Sequence, residues 1–528
     1  MNNQELITLL EDVSELKELL FNRGYLITDR GDLNLSEYPF WDNWSVYRVK
    51  NYDLYVHNNQ HIYIAEYLDA SVFLIGNAVN PFTKEYDEQA IVEKLARLIY
   101  SSQNEWMQLV NQLTGCFIVG TIRGAKLEFI TDPTEMLFAA YAKIGGHFYL
   151  SSHTQLIGDL CALEKDDFTK RFEQYPYFYK YGIFFPGDRT QFSEVKRVLT
   201  NHLYQYENEV IWNRIYPTRE LNECKTQQEY EELIKSVAKI LQDTMFCASQ
   251  KWDKPAISMT GGMDSKTTLA MANGMYSGFQ YYSYITMDGD EIDANAAHEI
   301  AKAVGIQHKI YRLSNNDSDY KNIGIMRKIL MHNNGGYRVN PNDVRKRVFF
   351  SNNKDFDIEI KSWVSEIGRA NYYKKFGLKK MPQELSARNM TALFKIFISQ
   401  RNLMKETDKY FEEFIEKSKF NSIPDGYDAS DMYLWEFRYS AWGGMVITME
   451  HSFSNEIFIP FNNRELLDLM LKAPKEKRIS DEFHEDLIRY GNSIISDTGI
   501  TITNWNETKN RMRLERMYFL LSSFFKRL

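Results

Sequence analysis

Apolar residues return at helical spacing from the start of the chain, at Leu6, Ile7, Leu10, Val13, Leu16, Leu19 and Leu20, and the run stops at Gly24. That spacing predicts an amphipathic helix. From residue 25 to about 202 the rhythm changes to short alternating stretches, such as Ile62-Tyr63-Ile64, Cys116-Phe117-Ile118-Val119 and His147-Phe148-Tyr149-Leu150, set between Gly, Asn and Asp turns. These predict an antiparallel, sheet-based domain with one inserted helix near residues 88–111. After Tyr216-Pro217, long helical periods alternate with short apolar strands, the pattern of a parallel α/β sheet. The change places a boundary within residues 205–220 and divides the chain into domains 1–210 and 211–528. Beyond about residue 428 the pattern is mostly helical. It ends on an apolar face of Leu514, Met517, Tyr518, Leu521, Phe524, Phe525 and Leu528, flanked by Arg511, Arg513, Arg516, Lys526 and Arg527. A helix of that kind either docks on its own domain or lies on an anionic membrane surface, and docking is the expected use. The aromatic residues Tyr175, Tyr177, Phe178, Tyr179, Tyr181, Phe184 and Phe185 suit a domain interface or a substrate groove.

At 528 residues the chain exceeds what one core usually organises, which agrees with two or more domains. Its 63 basic and 71 acidic side chains leave a net charge of -8, which argues against a general nucleic-acid binder. The four cysteines, Cys116, Cys161, Cys224 and Cys247, form no CxxC pair, so neither a disulfide framework nor a zinc site is expected. No run of 18 apolar residues occurs and the first residues lack a basic start, so the expectation is a cytoplasmic protein without a transmembrane segment.

Candidate chemistry concentrates at Thr260-Gly261-Gly262-Met263-Asp264-Ser265. A short strand, residues 255–259, precedes this run, and a helix begins at Ser265. Strand, glycine turn and helix start together make an anion site. The glycines admit a phosphate close to the backbone, and the helix dipole favours its charge. Asp264 is out of place beside a phosphate unless a divalent ion lies between them, which predicts magnesium. The alternative is a tight turn in which Asp264 caps the helix. The run lacks the Lys-Ser/Thr ending of a Walker loop and does not fit GxGxxG.

These six residues resemble the SGGxDS pyrophosphate loop of the N-type ATP pyrophosphatases, with Thr in first place. Thirty residues on, Asp293-Ala294-Asn295-Ala296-Ala297-His298-Glu299-Ile300-Ala301-Lys302-Ala303-Val304-Gly305-Ile306-Gln307-His308 resembles the DxxAAxExAxxxGxxH helix of asparagine synthetases. Gly115-Cys116-Phe117, Asp132-Pro133, Phe148-Tyr149-Leu150-Ser151-Ser152 and Thr190-Gln191-Phe192 follow the order of that family's glutaminase-type domain. Ser365-Glu366 with Tyr372 looks like its SDE…GGY loop. Glu456 with Pro460-Phe461 looks like its ExRxPF segment, with Phe458 in the Arg position.

The resemblance implies an Ntn-hydrolase-like sandwich followed by an ATP-pyrophosphatase domain, α/β and α+β in class, with a helical C-terminal portion. It implies ATP and Mg2+ as cofactors. Ile257, Met259 and Ile285 would frame the adenine, Gly261, Gly262, Asp264 and Ser265 would hold the pyrophosphate, and Ser258 and Thr260 complete the nucleotide-binding set, Thr260 and Ser265 with hydroxyl donors. Asp264 and Glu366 would hold the metal, and Glu366 and Arg489 would be catalytic. Arg489 stands in because the family's late lysine would fall near Glu485, with Lys477 and Arg478 as other substitutes. His308 is expected to be a cap, and Lys266 either opposes the helix dipole or reaches a phosphate.

The glutamine-using members begin with a nucleophilic Cys, and here no Cys precedes Cys116. Glutamine hydrolysis is therefore not expected. The arrangement then resembles β-lactam synthetases and lasso-peptide cyclases. It implies an AMP- and pyrophosphate-forming synthetase that adenylates a carboxylate and joins it to an amine on a small-molecule or peptide substrate. A homodimer is compatible with it. The rival expectation is a catalytically silent paralogue that binds nucleotide or a partner and regulates.

Overall fold

The computed structural model describes residues 3–175, 178, 184–394, 400–502 and 509–524. Twelve strands build two antiparallel sheets in the first part of the chain. One runs in the order β10-β8-β9-β1-β3-β2, and the other β12-β11-β7-β6-β5-β4. The first contains β1 (Tyr25–Thr28), β2 (Trp44–Val49), β3 (Tyr52–His57), β8 (Ala140–Ile144), β9 (His147–Ser151) and β10 (Lys196–Arg197). The second contains β4 (Ile62–Tyr67), β5 (Ala70–Val79), β6 (Thr114–Arg123), β7 (Lys126–Thr131), β11 (His202–Tyr206) and β12 (Val210–Arg214).

Both faces of the second sheet are covered, which is why β5 is buried throughout. Phe73 and Ile75 share a core with Leu26 and Ile27 of the facing sheet. Val72 and Leu74, pointing the other way, pack with Ile91, Leu95, Trp106 and Val110 of a helix pair. That pair, Glu88–Ser101 and Gln103–Gln112, replaces the single helix predicted there. Ser102 leaves helical geometry at φ -163° and caps the second helix by accepting the Glu105 N–H at 3.2 Å.

After β12 comes the helix Gln227–Lys251, opened by a capping box in which the Thr226 hydroxyl accepts from the Glu229 N–H and the Glu229 carboxylate accepts from the Thr226 N–H. The parallel sheet follows, in the order β15-β14-β13-β16-β17. Its strands are β13 (Pro255–Ser258), β14 (Gln280–Ile285), β15 (Lys309–Arg312), β16 (Ile358–Ile360) and β17 (Glu456–Phe458). Order builds outward from β13 to one side and then restarts with β16 on its other side. The carboxyl ends of β13 and β16 therefore flank the crevice where open α/β sheets bind ligands. This is the architecture the resemblance implied: an antiparallel sandwich, a parallel α/β sheet and a helical end.

Buried polar pairs join the two parts. Asn462 donates to the Gly115 carbonyl at 2.7 Å and to Asp132 at 2.8 Å, and Arg464 donates to the Thr131 carbonyl at 2.7 Å. A wide-turned π-helical segment, Leu434–Gly443, is anchored to the sandwich by Arg214 to Glu436 at 2.6 Å, Arg197 to Ser440 at 2.8 Å, and the Trp435 indole to the Pro133 carbonyl at 2.8 Å.

Three other expectations change. The opening run is a helix, Asn3–Leu10, followed by a separate 3-10 turn, Ser14–Leu19, because Val13 adopts φ -139° between them. The late region read as helical contains the strand β17. The terminal helix, Lys509–Phe524, docks through Tyr518 and Phe519 but leaves Leu514, Met517 and Leu521 exposed, so its apolar face is divided between core and solvent. Phe525, Lys526, Arg527 and Leu528 lie outside the described residues. Of the aromatic stretch, Phe178 and Phe184 pack between the two parts, on Tyr337 and Phe394 respectively, as an interface residue should. Tyr177, Tyr179 and Tyr181 lie outside the described residues.

Candidate functional site

The loop after β13 turns directly into the helix Met263–Met271, two residues earlier than predicted. Gly262 is the N-cap, and no side chain caps this helix, so its first N–H groups stay available to a ligand. Inside the loop the hydroxyls hold one another. Thr260 Oγ1 and Ser265 Oγ lie 3.0 Å apart, Ser265 donates to the Thr260 carbonyl at 2.8 Å, and Thr260 Oγ1 accepts from the Gly262 N–H at 3.1 Å. Gly261 is required by packing: a Cβ there would stand 2.8 Å from Ile502 Cδ1 and 2.9 Å from Ala296 Cβ. Residues 500–502 thus lie against the loop, held by Lys266, whose ammonium donates to the Ile500 carbonyl at 2.7 Å. Lys266 therefore spends its charge on the chain itself rather than on a phosphate.

A cavity of about 400 Å³ opens at the carboxyl ends of β13 and β16. Ser258, Met259, Thr260, Asp264 and Ser265 line it from the loop side, and Glu366 lines it from the 3-10 turn Ser365–Arg369. Asp264 does not cap its helix. Its carboxylate accepts from Arg369 Nη1 at 2.8 Å and from the Ser365 hydroxyl. Arg369 also forks onto Asp481, at 2.8 and 3.1 Å, and Lys374 pairs with the same carboxylate. Glu366 accepts from the Tyr439 hydroxyl at 2.6 Å. Burial, and then the negative charge of Asp264, push the Glu366 carboxyl above its ordinary range. Arg369 leans on Asp264, so the repulsion between the two acids is only partly relieved.

This pair fits Mg2+, which is usually held by one or two carboxylates and the phosphates of a nucleotide. Among the described residues no cluster of three or more metal-ligating side chains occurs. The opposite wall carries Tyr284, Glu359, Lys361, Trp363 and Trp442. Lys361 donates to Glu359 at 2.5 Å, Lys346 donates to the Tyr284 hydroxyl at 3.1 Å, and Trp363 stacks on Trp442 with centroids 5.4 Å apart.

Of the residues singled out in the sequence, the cavity gathers Ser258, Met259, Thr260, Asp264, Ser265 and Glu366. Gly261 and Gly262 shape the loop behind them. Ile257 is wholly buried in the core, and Ile285 lies further along β14 without lining the cavity. Arg489 is the clearest displacement. It is exposed on the helix Glu482–Gly491 and pairs with Asp486 at 3.2 Å, because that helix turns its apolar side, Phe483, Leu487 and Ile488, into the core. Lys477 pairs with Glu482, and Arg478 is buried on Asp431 at 2.7 Å. His308 caps no helix. It bonds Ser283 at 2.9 Å, and burial pushes it down to about 4. The helix anticipated over residues 293–308 spans Asp288–Ala303. Sequence reasoning missed Arg369, Tyr439, Trp363 and Trp442. Arg369 is three residues after Glu366, which on a 3-10 turn is the same face, and that spacing was a usable signal.

No protein-family model matches the chain, and among curated proteins none matches it. Among solved structures it is similar to glutamine phosphoribosylpyrophosphate amidotransferase from B. subtilis complexed with ADP and GMP, at 10% identity over 77% of each chain and a TM-score of 0.22. It is similar to a structure of the allosteric regulatory enzyme of purine biosynthesis, at 11% identity, covering 58% of this chain and 63% of that one, TM-score 0.24. It is also similar to glutamine-dependent NAD+ synthetase from Acinetobacter baumannii in complex with ADP, at 10% identity, covering 50% and 63%, TM-score 0.20.

Proposed function

We propose that the chain is an ATP-dependent, AMP- and pyrophosphate-forming amide synthetase of the asparagine-synthetase type, built as two domains, 1–210 and 211–528. The observation that carries this reading is that one crevice, at the switch point of a parallel sheet, receives both an uncapped glycine-loop helix and the facing carboxylates Asp264 and Glu366. A carboxylate oxygen of the substrate would attack the α-phosphorus of ATP. The bond to the bridging oxygen breaks, pyrophosphate leaves, and an amine then displaces AMP from the acyl carbon and loses a proton.

The chain's part is placement and charge. The helix N–H groups and the Thr260 and Ser265 hydroxyls surround the phosphates, and Asp264 and Glu366 would hold Mg2+, which offsets phosphate charge when bound. Tyr439 orients Glu366, and Arg369 with Ser365 orients Asp264. The substrate is a small molecule or peptide bearing a carboxylate, and the amine comes without glutamine hydrolysis. All four thiols are pushed above their ordinary range, chiefly by burial, Cys247 to about 12, which leaves none activated as a nucleophile. Purified protein incubated with glutamine should release no glutamate, and release above the rate of a heat-denatured control would refute that part.

One observation favours a second reading, a silent nucleotide-binding paralogue: Arg369 already occupies Asp264. ATP–pyrophosphate exchange across a panel of carboxylic acids, with Asp264→Ala as control, separates the two. Exchange lost in the variant supports the synthetase, whereas nucleotide binding without exchange for any acid supports the paralogue.

A further inference from the structure

The cations that sequence reasoning offered for the reacting oxyanion all lie away from the cavity, paired with acids of their own. Arg438 does not itself line the cavity, but it is the neighbour of two residues that do, and its guanidinium has no hydrogen-bonded partner among the described residues. It belongs to the π-helical segment, one residue before Tyr439 and four before Trp442, both of which line the cavity. In a helix with i→i+5 bonds, residues four and five apart share a face, which brings Arg438 onto Trp442. Its guanidinium carbon stands 4.6 Å from the Trp442 ring centroid and 4.8 Å from that of Phe184.

Two rings thus lie against the cation, and its N–H donors, which pair with oxyanions, make no hydrogen bond to a described residue. The same segment is pinned to the sandwich through Glu436 and Ser440, so the guanidinium is carried on a fixed support.

We propose that Arg438 is an oxyanion-binding residue of this cavity, taking a carboxylate or phosphoryl group of the bound ligand through the N–H donors of its guanidinium. The inference rests on the reading of the cavity as a nucleotide and acid site, and it supplies the cation that the sequence left unassigned.

The full chain, Arg438→Met and Arg438→Lys should be titrated calorimetrically with adenosine, ATP, inorganic pyrophosphate and succinate. The expected result is at least about a tenfold loss of affinity for one or more of the oxyanions in Arg438→Met, as for a hydrogen bond between charged groups, with adenosine unchanged. A loss confined to ATP and pyrophosphate assigns the phosphoryl source, and a loss confined to succinate assigns the carboxylate source. Arg438→Lys should recover phosphate affinity better than succinate affinity, because an ammonium keeps the charge without the fork. If Arg438→Met does not fold, a weakened succinate or pyrophosphate affinity in folded Arg438→Lys carries the proposal.

The proposal is overturned if every oxyanion binds the folded variants within about twofold of the natural chain, if adenosine weakens equally, or if no oxyanion binds the natural chain. Absence of ATP–pyrophosphate exchange would remove the synthetase reading, while these titrations would still decide Arg438.

Discussion

Glu450 offers a test of the electrostatics behind the cavity wall. It closes the second π-helical segment, Val446–Glu450, accepts from Asn334 Nδ2 at 3.2 Å, and feels Arg347 and Lys346. Burial, reinforced by Asp343, outweighs those cations and pushes its carboxyl from 4.5 up to about 7. An acid raised by folding binds its proton more tightly in the native state. Stability should therefore fall as pH rises from about 4.5 to about 7 and then level off.

A shift of that size corresponds to about 3 kcal/mol. Glu450→Gln carries no charge to bury. Relative to the natural chain it should gain about 2.5 kcal/mol between pH 5 and pH 8, or roughly 2 °C in Tm if a chain of this length unfolds as one unit. Thermal unfolding of both proteins at half-unit pH steps measures the difference directly, and other titrating groups cancel in the comparison. A difference that stays flat from pH 5 to pH 8 would refute the reasoning.

Two further substitutions probe the frame around the site. Lys266→Met should change the Kd for ATP by less than about threefold and speed hydrogen exchange at residues 500–502, because the ammonium is spent on the Ile500 carbonyl. A loss of tenfold or more would mean that the ammonium reaches phosphate. Glu135→Leu should lower stability in urea by about 3–5 kcal/mol, since it strands Arg197 in the core, where the pair meets at 2.8 Å. A cost below about 1 kcal/mol would show that water or another acid compensates.

The loop of residues 260–265 was legible because its chemistry is local. Two glycines, a hydroxyl and an acid at a strand-to-helix junction can be recognised from neighbours alone. The alternation of apolar residues along residues 25–202 was legible for a similar reason, since strand faces repeat every two positions. What escaped is what depends on distant segments meeting. The requirement for Gly261 comes from Ile502, across more than two hundred residues, and the partner of Lys266 comes from Ile500.

Arg489 illustrates the converse error. Its place in a late motif suggested chemistry, but the amphipathic phase of its helix, with Phe483 and Leu487 inward, turns it to solvent. The same phase was readable in the sequence and would have excluded it. Tyr439 and Trp442 could not be placed in this way, because a π-helical segment shifts the residues that share a face away from the 3.6-residue pattern used to read helices.

The most direct test of the central claim is single-turnover chemistry on ATP in the presence of Mg2+, a carboxylic-acid panel and an amine such as ammonia or hydroxylamine, following pyrophosphate and AMP together. The proposed mechanism predicts that at least one acid drives pyrophosphate and AMP formation in equal amounts, and that Asp264→Ala and Glu366→Gln abolish both products while remaining folded. Release of ADP and phosphate instead, or unchanged product formation in both variants, would contradict it.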